Sequence, residues 1–264
     1  MTRGLRCLAL PALAAIAALP AAAVAQAGDF HWSKAIPAGN TVRVQNVNGD
    51  IKIVPSTSGR VDVTGRSRGD RDDADRIHVQ VDEHSDGVTI CVVQRGDDSC
   101  DDQGNHRHWH NNDWNDESIN LEVGVPANVL VRAGSVSGDV SVTGAQGDLA
   151  VSSVSGDVTL DRVRPNGLKV NTVSGDIEVH ADAFTGQHDL SFQTVSGDIT
   201  LELPQAFDAD LSMSTVSGDI DSDYKMTLGG SHMSRRNIEA RIGNGGRRLD
   251  VRTVSGDLRL RATR

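Results

Sequence analysis

The chain has 264 residues, a formal net charge of −10 at pH 7 and only 3% aromatic residues. Proteins bind phosphate backbones and anionic lipids by neutralising them with Lys and Arg, so this acidic balance argues against nucleic acid and anionic lipid as partners. The length suits one or two domains, and internal repeats make that number ambiguous.

Residues 1–27 are predicted to be a signal peptide. Arg3 and Arg6 precede an apolar run rich in Ala and Leu, and small residues offer cleavage after Ala25 or Ala27. Two prolines in the run argue against a retained membrane anchor, and no later stretch has the roughly 18 apolar residues of a spanning helix. We therefore expect export to the periplasm, the cell surface or the extracellular space, with no transmembrane segment after cleavage. Cleavage removes two arginines and no acid, which takes the net charge from −10 to −12.

Residues 28–132 are predicted to form an irregular β region. Short stretches of alternating apolar and polar residues indicate strands with one buried face, and glycine-containing pairs mark the turns between them. We expect this region to cover one end of a regular stack, because exposed sheet edges invite pairing with other chains. The predicted strands are 41–45, 50–54, 60–64, 76–81, 88–93, 118–123 and 128–132.

Residues 96–117 interrupt this region with an acidic, histidine-rich insert. His106, His108 and His110 have i, i+2, i+4 spacing, which places all three on one face of an extended strand. Three imidazoles suit Zn²⁺ or Cu²⁺, and Asp113 or water could complete the ligand shell. The alternative is a polar loop without metal, and no other cofactor is expected.

Cys91 and Cys100 are the only cysteines beyond the predicted signal peptide. In an oxidising compartment such a pair is usually a disulfide, so we expect the two to be bonded. A zinc site formed with the nearby histidines is the alternative interpretation.

Residues 133–264 are dominated by the repeated sequence Val-Ser-Gly-Asp. Apolar residues alternate before and after each copy, which indicates two strands, and Ser-Gly supplies the turn between them. A single such unit cannot bury its apolar face, but stacked units can. We therefore predict an all-β fold, a β-solenoid of two-strand coils of about 18–22 residues, with an antiparallel β-sandwich as the alternative. The copies lie at 136–139, 154–157, 173–176, 195–198, 216–219 and 254–257, and 47–50 is a relative with Asn for Ser.

The aspartates that close the repeats are predicted to have a structural role. In a solenoid they would stack about 4.8 Å apart, and their mutual repulsion would have to be offset. We expect hydrogen bonds from turn N–H groups or hydroxyls to do so, with a column of bound cations as the alternative. Hydroxyl residues that precede each motif valine are expected to bond at the same corner. These repeat-turn aspartates are Asp139, Asp157, Asp176, Asp198, Asp219 and Asp257.

The motifs resemble those of a bacterial adhesin-type β-strand-repeat family, a domain of unknown function. The likeness rests on Val47-Asn48-Gly49-Asp50-Ile51 and on Thr-Val-Ser-Gly-Asp-Ile at 172–177, 194–199 and 215–220, and it extends from about Phe30 to Leu260. It implies an envelope or surface protein with a β-helix-like fold, and it brings no catalytic residues.

No catalytic constellation is predicted, so we expect a protein that is not an enzyme. Loops of two to six residues between the repeat strands are too short to wall a substrate groove, and no nucleophile elbow is present. The favoured function is an adhesin, scaffold or binding module of the cell envelope, with an envelope or surface protein or a glycan as partner. The alternative is a periplasmic metal-binding or envelope-stress accessory protein that acts through the insert, and a glycan-degrading β-helix is a weaker third class.

Overall fold

The computed structural model describes residues 29–68, 77–94, 100, 118–228 and 234–263. Within these ranges the chain is all-β, with 20 strands and no helix. The described part of the chain therefore offers no apolar helix of membrane-spanning length. The predicted signal peptide lies outside the described residues, as do His106, His108, His110 and Asp113 of the insert.

The strands follow the alternation of the sequence closely. Each of the seven strands predicted before residue 133 has an observed counterpart displaced by a few residues, and β1 is an additional strand. In chain order they are β1 Asp29–Lys34, β2 Thr41–Asn48, β3 Ile51–Pro55, β4 Val61–Arg68, β5 Ile77–His84, β6 Gly87–Gln94, β7 Ser118–Val125, β8 Leu130–Ser137, β9 Val140–Thr143, β10 Gln146–Ser155, β11 Val158–Asn171, β12 Ile177–Ala181, β13 Leu190–Gln193, β14 Ile199–Leu203, β15 Ala209–Ser214, β16 Ile220–Ser222, β17 Met226–Leu228, β18 Asn237–Ile242, β19 Arg248–Arg252 and β20 Leu258–Ala262.

Most strands lie in two rows, and neighbouring strands within each row are parallel. Strands that precede a motif, together with β6 at one end, form the first row, in the order β6, β2, β8, β10, the end of β11, β13, β19 and β15. Strands that follow a motif, together with β7 at one end, form the second row, in the order β7, β3, β9, the start of β11, β12, β14, β20 and β16. The antiparallel pairs are β1–β4, β4–β7, β5–β6, β15–β18 and β17–β18, all at the ends of the rows. These registers differ from those of an antiparallel sandwich.

The order of the rows departs from chain order at both ends. β19 and β20 insert between β13 and β14 on one side and β15 and β16 on the other. The 38-residue gap before the last motif is therefore a detour, in which β17 and β18 add antiparallel strands beyond β15. At the other end, β2 and β3 pair directly with β8 and β9, so both rows continue across the predicted boundary at residue 132.

The core lies between the two rows. Equivalent repeat residues are in register, so apolar side chains form buried columns, as Leu168, Leu190 and Leu249 do in the first row. Phe192 is the largest of the fully buried side chains. The motif glycine is required by the close approach of neighbouring turns: Gly197 has φ +152°, and an added Cβ would overlap the carbonyl oxygen of Gly175.

Candidate functional site

The motif turns stack at one edge of the molecule, where the first row passes into the second. We call this column of Val-Ser-Gly-Asp turns the motif corner. Backbone bonds connect successive turns: the N–H of Ser174 donates to the carbonyl of Val154 at 2.9 Å, and that of Gly175 to Ser196 at 3.0 Å. Parallel pairing thus continues through the turns, which gives the corner a fixed backbone.

The hydroxyl groups before each motif point into this corner. Thr172 Oγ1 donates to the carbonyl of Gly156 at 3.3 Å, and Thr194 Oγ1 donates to that of Gly175 at 3.2 Å. These residues are no more than 6% exposed, so their hydroxyls stabilise the turn and are not available as a surface array. The set comprises Ser135, Ser153, Thr172, Thr194, Thr215 and Thr253.

The motif aspartates form a hydrogen-bonded column. Oδ1 of Asp157 accepts the backbone N–H of Asp176 at 2.8 Å, and Oδ1 of Asp176 accepts that of Asp198 at 2.7 Å. The pattern is the same at every step, and Asn120 takes the place of an aspartate at one end. The sequence predicts this bonding type but not the order, because Asp257 stands between Asp198 and Asp219. From end to end the column reads Asn120, Asp50, Asp139, Asp157, Asp176, Asp198, Asp257 and Asp219.

A positively charged side chain contacts one part of this column. Arg259 bonds Oδ2 of Asp198 and Oδ2 of Asp257, each at 2.7 Å. The pKa of Asp198 is lowered, first by the hydrogen bond from the Asp257 backbone and then by Arg259. Among the described residues no cation pairs with Asp139, Asp157 or Asp176, so their Oδ2 atoms leave a run of negative charge.

The motif valines form an exposed apolar row beside the aspartates, which we call the valine ridge. A single exposed valine is ordinary, but a contiguous row is a feature of interaction surfaces. Val47, in the Asn-containing relative of the motif, is instead 7% exposed. The ridge comprises Val136 at 41% exposure, Val154 at 47%, Val173 at 47%, Val195 at 48%, Val254 at 47% and Val216 at 66%.

The two strands that flank the insert meet the rows at the end of the motif corner. β6 ends at Gln94 beside β2, and β7 begins at Ser118 beside β3, the two strands that Val47-Asn48-Gly49-Asp50 connects. Cys91 and Cys100 are bonded, with Cα atoms 5.9 Å apart, and neither thiol is free to bind zinc. The backbone N–H of Cys100 donates to Oδ2 of Asp82 at 2.8 Å, which fixes the bridge against β5.

The structure brings together residues that the sequence does not connect. Arg43, Arg132 and Lys169 lie on the outer face of the first row, on strands β2, β8 and β11. Each is four residues before a motif valine, so alignment of the chain by its motif would have revealed them. Arg247 was also missed: it lies 4.7 Å from the centre of the Phe184 ring and is 7% exposed, and burial lowers the pKa of its guanidinium group.

Comparison with solved structures shows a related fold. A candidate cell adhesion protein from Clostridium sporogenes aligns with a TM-score of 0.54 at 10% identity, over 89% of this chain and 100% of that one. A candidate adhesin from Bacteroides fragilis aligns with a TM-score of 0.37 at 12% identity, over 89% and 97% of the two chains. No curated protein shows significant sequence similarity. The family model described as Toastrack DUF4097 matches residues 102–261, more than half of the sequence, and the chain therefore belongs to the Toastrack DUF4097 family.

Proposed function

We propose that the chain is an exported β-solenoid that serves the cell envelope as an adhesion, scaffold or binding module and is not an enzyme. The parallel registers support this interpretation of the fold, since each motif turn with its two flanking strands makes one coil of about 18–22 residues. The observation that supports this function most directly is that the valine ridge lies beside the negatively charged aspartates Asp139, Asp157 and Asp176, which we call the aspartate run.

Export is supported by the predicted signal peptide together with the cysteine pair. Both cysteines beyond residue 27 are used in one disulfide, and such bonds persist in oxidising compartments. The periplasm and the cell surface both meet this condition. The fold neighbour from Clostridium sporogenes, described as a candidate cell adhesion protein, supports an envelope role.

A binding role suits the motif corner better than catalysis does. Each carboxylate accepts a backbone N–H of the next turn, which holds the column in one repeated geometry and does not assemble the two chemically different groups that acid–base catalysis uses. Six valines at about 4.8 Å spacing extend over about 24 Å, long enough to contact an elongated partner. Because binding surfaces are complementary in charge, the apolar valine ridge and the negatively charged aspartate run together favour a protein partner that has apolar and basic side chains on one surface.

Cosedimentation of the mature protein with bacterial envelope fractions tests this role. Val154→Thr, Val173→Thr and Val195→Thr together keep side-chain shape and remove the apolar surface of the ridge. We expect retention to fall at least tenfold, whereas Thr159→Val with Thr200→Val on the outer face of the second row should leave it unchanged. Equal retention of wild type and the ridge variant, with equal melting temperatures, would rule out the corner as the contact surface.

A metal-binding accessory role through the insert is the second candidate. The positions of β6 and β7 favour it, because these strands flank the insert in sequence and lie at the end of the rows where Asn120 begins the aspartate column. His106, His108, His110 and Asp113 remain the proposed Zn²⁺ or Cu²⁺ ligands. A bound transition metal in the purified mature protein, found by elemental analysis, would favour this candidate.

A further inference from the structure

The outer face of the first row carries a basic patch that is separate from the motif corner. Arg43 is directly opposite Arg132, Arg132 is opposite Ala150, and Ala150 is opposite Lys169. The three cations therefore occupy one column across four neighbouring strands, about 4.8 Å apart per strand. We call these residues and the depression between them the basic patch.

The charges of this patch are unusual for a chain with a net charge of −10. Like charges in one column of a sheet repel, and Arg132 lies between Arg43 and Lys169 in this column. Arg132 and Lys169 are exposed, and neither has an ion-pair partner among the described residues. By contrast, Asp250 in the same column bonds Arg252 at 2.7 Å. An external anion would offset the repulsion at the patch.

The floor of the patch is a depression of about 300 Å³. The depression exists because Gly134, Ala150 and Ser152 are small. The longer side chains of Arg43, Arg132 and Lys169 line it beside them. A volume of about 300 Å³ is at the lower end of ligand pockets, and the open face leaves room for a longer molecule to continue along the row.

Polar groups in this depression indicate more than a simple anion. Gln45 and Asn171 line it, and Oε1 of Gln45 is buried without a hydrogen-bond partner among the described residues. A buried acceptor without a donor is unfavourable, so a change of rotamer that turns Gln45 toward a bound hydroxyl group would stabilise it. Phosphate carries acceptors for the cations but little donor capacity, whereas a sugar acid carries both carboxylate and hydroxyls.

We propose that the basic patch binds an acidic saccharide, with Arg132 and Lys169 contacting a sugar carboxylate and Gln45 accepting a sugar hydroxyl. Arginine suits this role because its planar guanidinium group can bond both oxygens of a carboxylate. Stacking on aromatic rings is not required, since charge and hydrogen bonds supply the contacts. The patch lies on a different face from the valine ridge, so this proposal does not depend on the proposed function.

Titration calorimetry of the purified mature protein with tetragalacturonate tests the proposal, with maltotetraose as the neutral probe and tripolyphosphate as the anion without sugar. Of the two saccharides, we expect tetragalacturonate to show saturable binding and maltotetraose to show none. Arg132→Gln with Lys169→Gln should weaken it at least tenfold. Arg162→Gln with Lys225→Gln removes the same charge from other exposed sites and should change affinity less than twofold.

Gln45→Leu separates a saccharide site from a general anion site. This substitution should weaken the binding of tetragalacturonate several-fold and leave the binding of tripolyphosphate unchanged. Equal losses in the patch and control variants, absence of saturable binding, or tripolyphosphate bound as tightly as the saccharide would each overturn the proposal. Because this experiment uses no envelope fraction, its failure would leave the test of the valine ridge unaffected.

Discussion

Substitution of Asp176 measures how the aspartate column is stabilised. Asp176 accepts the backbone N–H of Asp198 at 2.7 Å and donates its own N–H to Asp157 at 2.8 Å. Asp176→Asn keeps an acceptor at this position and removes one charge. Charges 4.8 Å apart repel by about 0.9 kcal/mol in water, so the two neighbours Asp157 and Asp198 together contribute about 1.7 kcal/mol, which salt reduces to about 1 kcal/mol. A charged acceptor makes a hydrogen bond about 1 kcal/mol stronger than a neutral one, so the two effects nearly cancel.

We therefore expect Asp176→Asn to change the free energy of unfolding by less than about 1 kcal/mol. Asp176→Ala removes the acceptor and leaves the N–H of Asp198 without it, which should cost about 1–2 kcal/mol. Urea unfolding followed by circular dichroism provides both values. If the alanine variant is as stable as the asparagine variant, the turn bonds do not stabilise the column.

Asp198→Asn is the matched comparison, because Asp198 also bonds Arg259 through Oδ2. It should cost about 0.5–1 kcal/mol more than Asp176→Asn, the usual value of one ion pair at a surface. The pKa of Asp198 is lowered in the folded protein, so its stabilisation is present above the unfolded pKa of about 3.9 and lost as the pH falls through the folded value. The difference in stability between wild type and Asp198→Asn should shrink below about pH 4.

A cation column at the motif aspartates would give a different result. Stability would then rise strongly with millimolar Ca²⁺, and Asp176→Asn would abolish that rise.

Three further predictions concern the turn glycine, the disulfide and the insert. Gly197→Ala should destabilise far more than Gly39→Ala in thermal melting, because an added Cβ overlaps backbone at Gly197 and meets open space at Gly39; equal effects would contradict the close approach. Free-thiol labelling of the unreduced, denatured mature protein should detect no thiol, and reduction should cost about 2–3 kcal/mol of stability; two reactive thiols per chain would refute the disulfide. Zn²⁺ or Cu²⁺ should bind near 1:1 and raise the melting temperature, an effect lost in the His106→Ala, His108→Ala, His110→Ala variant; equal heats from both proteins would exclude the site.

Period-two alternation predicts the strands because it depends only on neighbouring residues. The repeated glycine and aspartate also predict the corner, since their spacing places them at equivalent positions of every repeat. The order of the repeats in space could not be predicted, because the buried faces of β13, β15 and β19 have the same apolar pattern and any of them could be neighbours. Sequence alone does not indicate that β19 is between the other two.

The basic patch was missed for a related reason. Arg43 and Arg132 are far apart along the chain, and their adjacency arises only when β2 pairs with β8. Only alignment of the chain by its motif, with Val47 matched to Val136, connects the N-terminal strand to the first repeat. Charge counts were misleading too, because a net charge of −10 conceals a local concentration of cations.

The inserted position of β19 and β20 affects how the molecule can form. Among the described strands, β15 pairs with β18 and β19, and β16 pairs with β20 alone, although β15 and β16 come earlier in the chain. Each strand from β8 to β14 has a row neighbour that precedes it along the chain, whereas the row neighbours of β15 and β16 follow them. Deletion of the last two strands would remove the middle of a continuous array and leave β15 to β18 detached from it. Pairing of β19 and β20 with strands on both sides is therefore the step that joins β15 and β16 to the rest of the two rows.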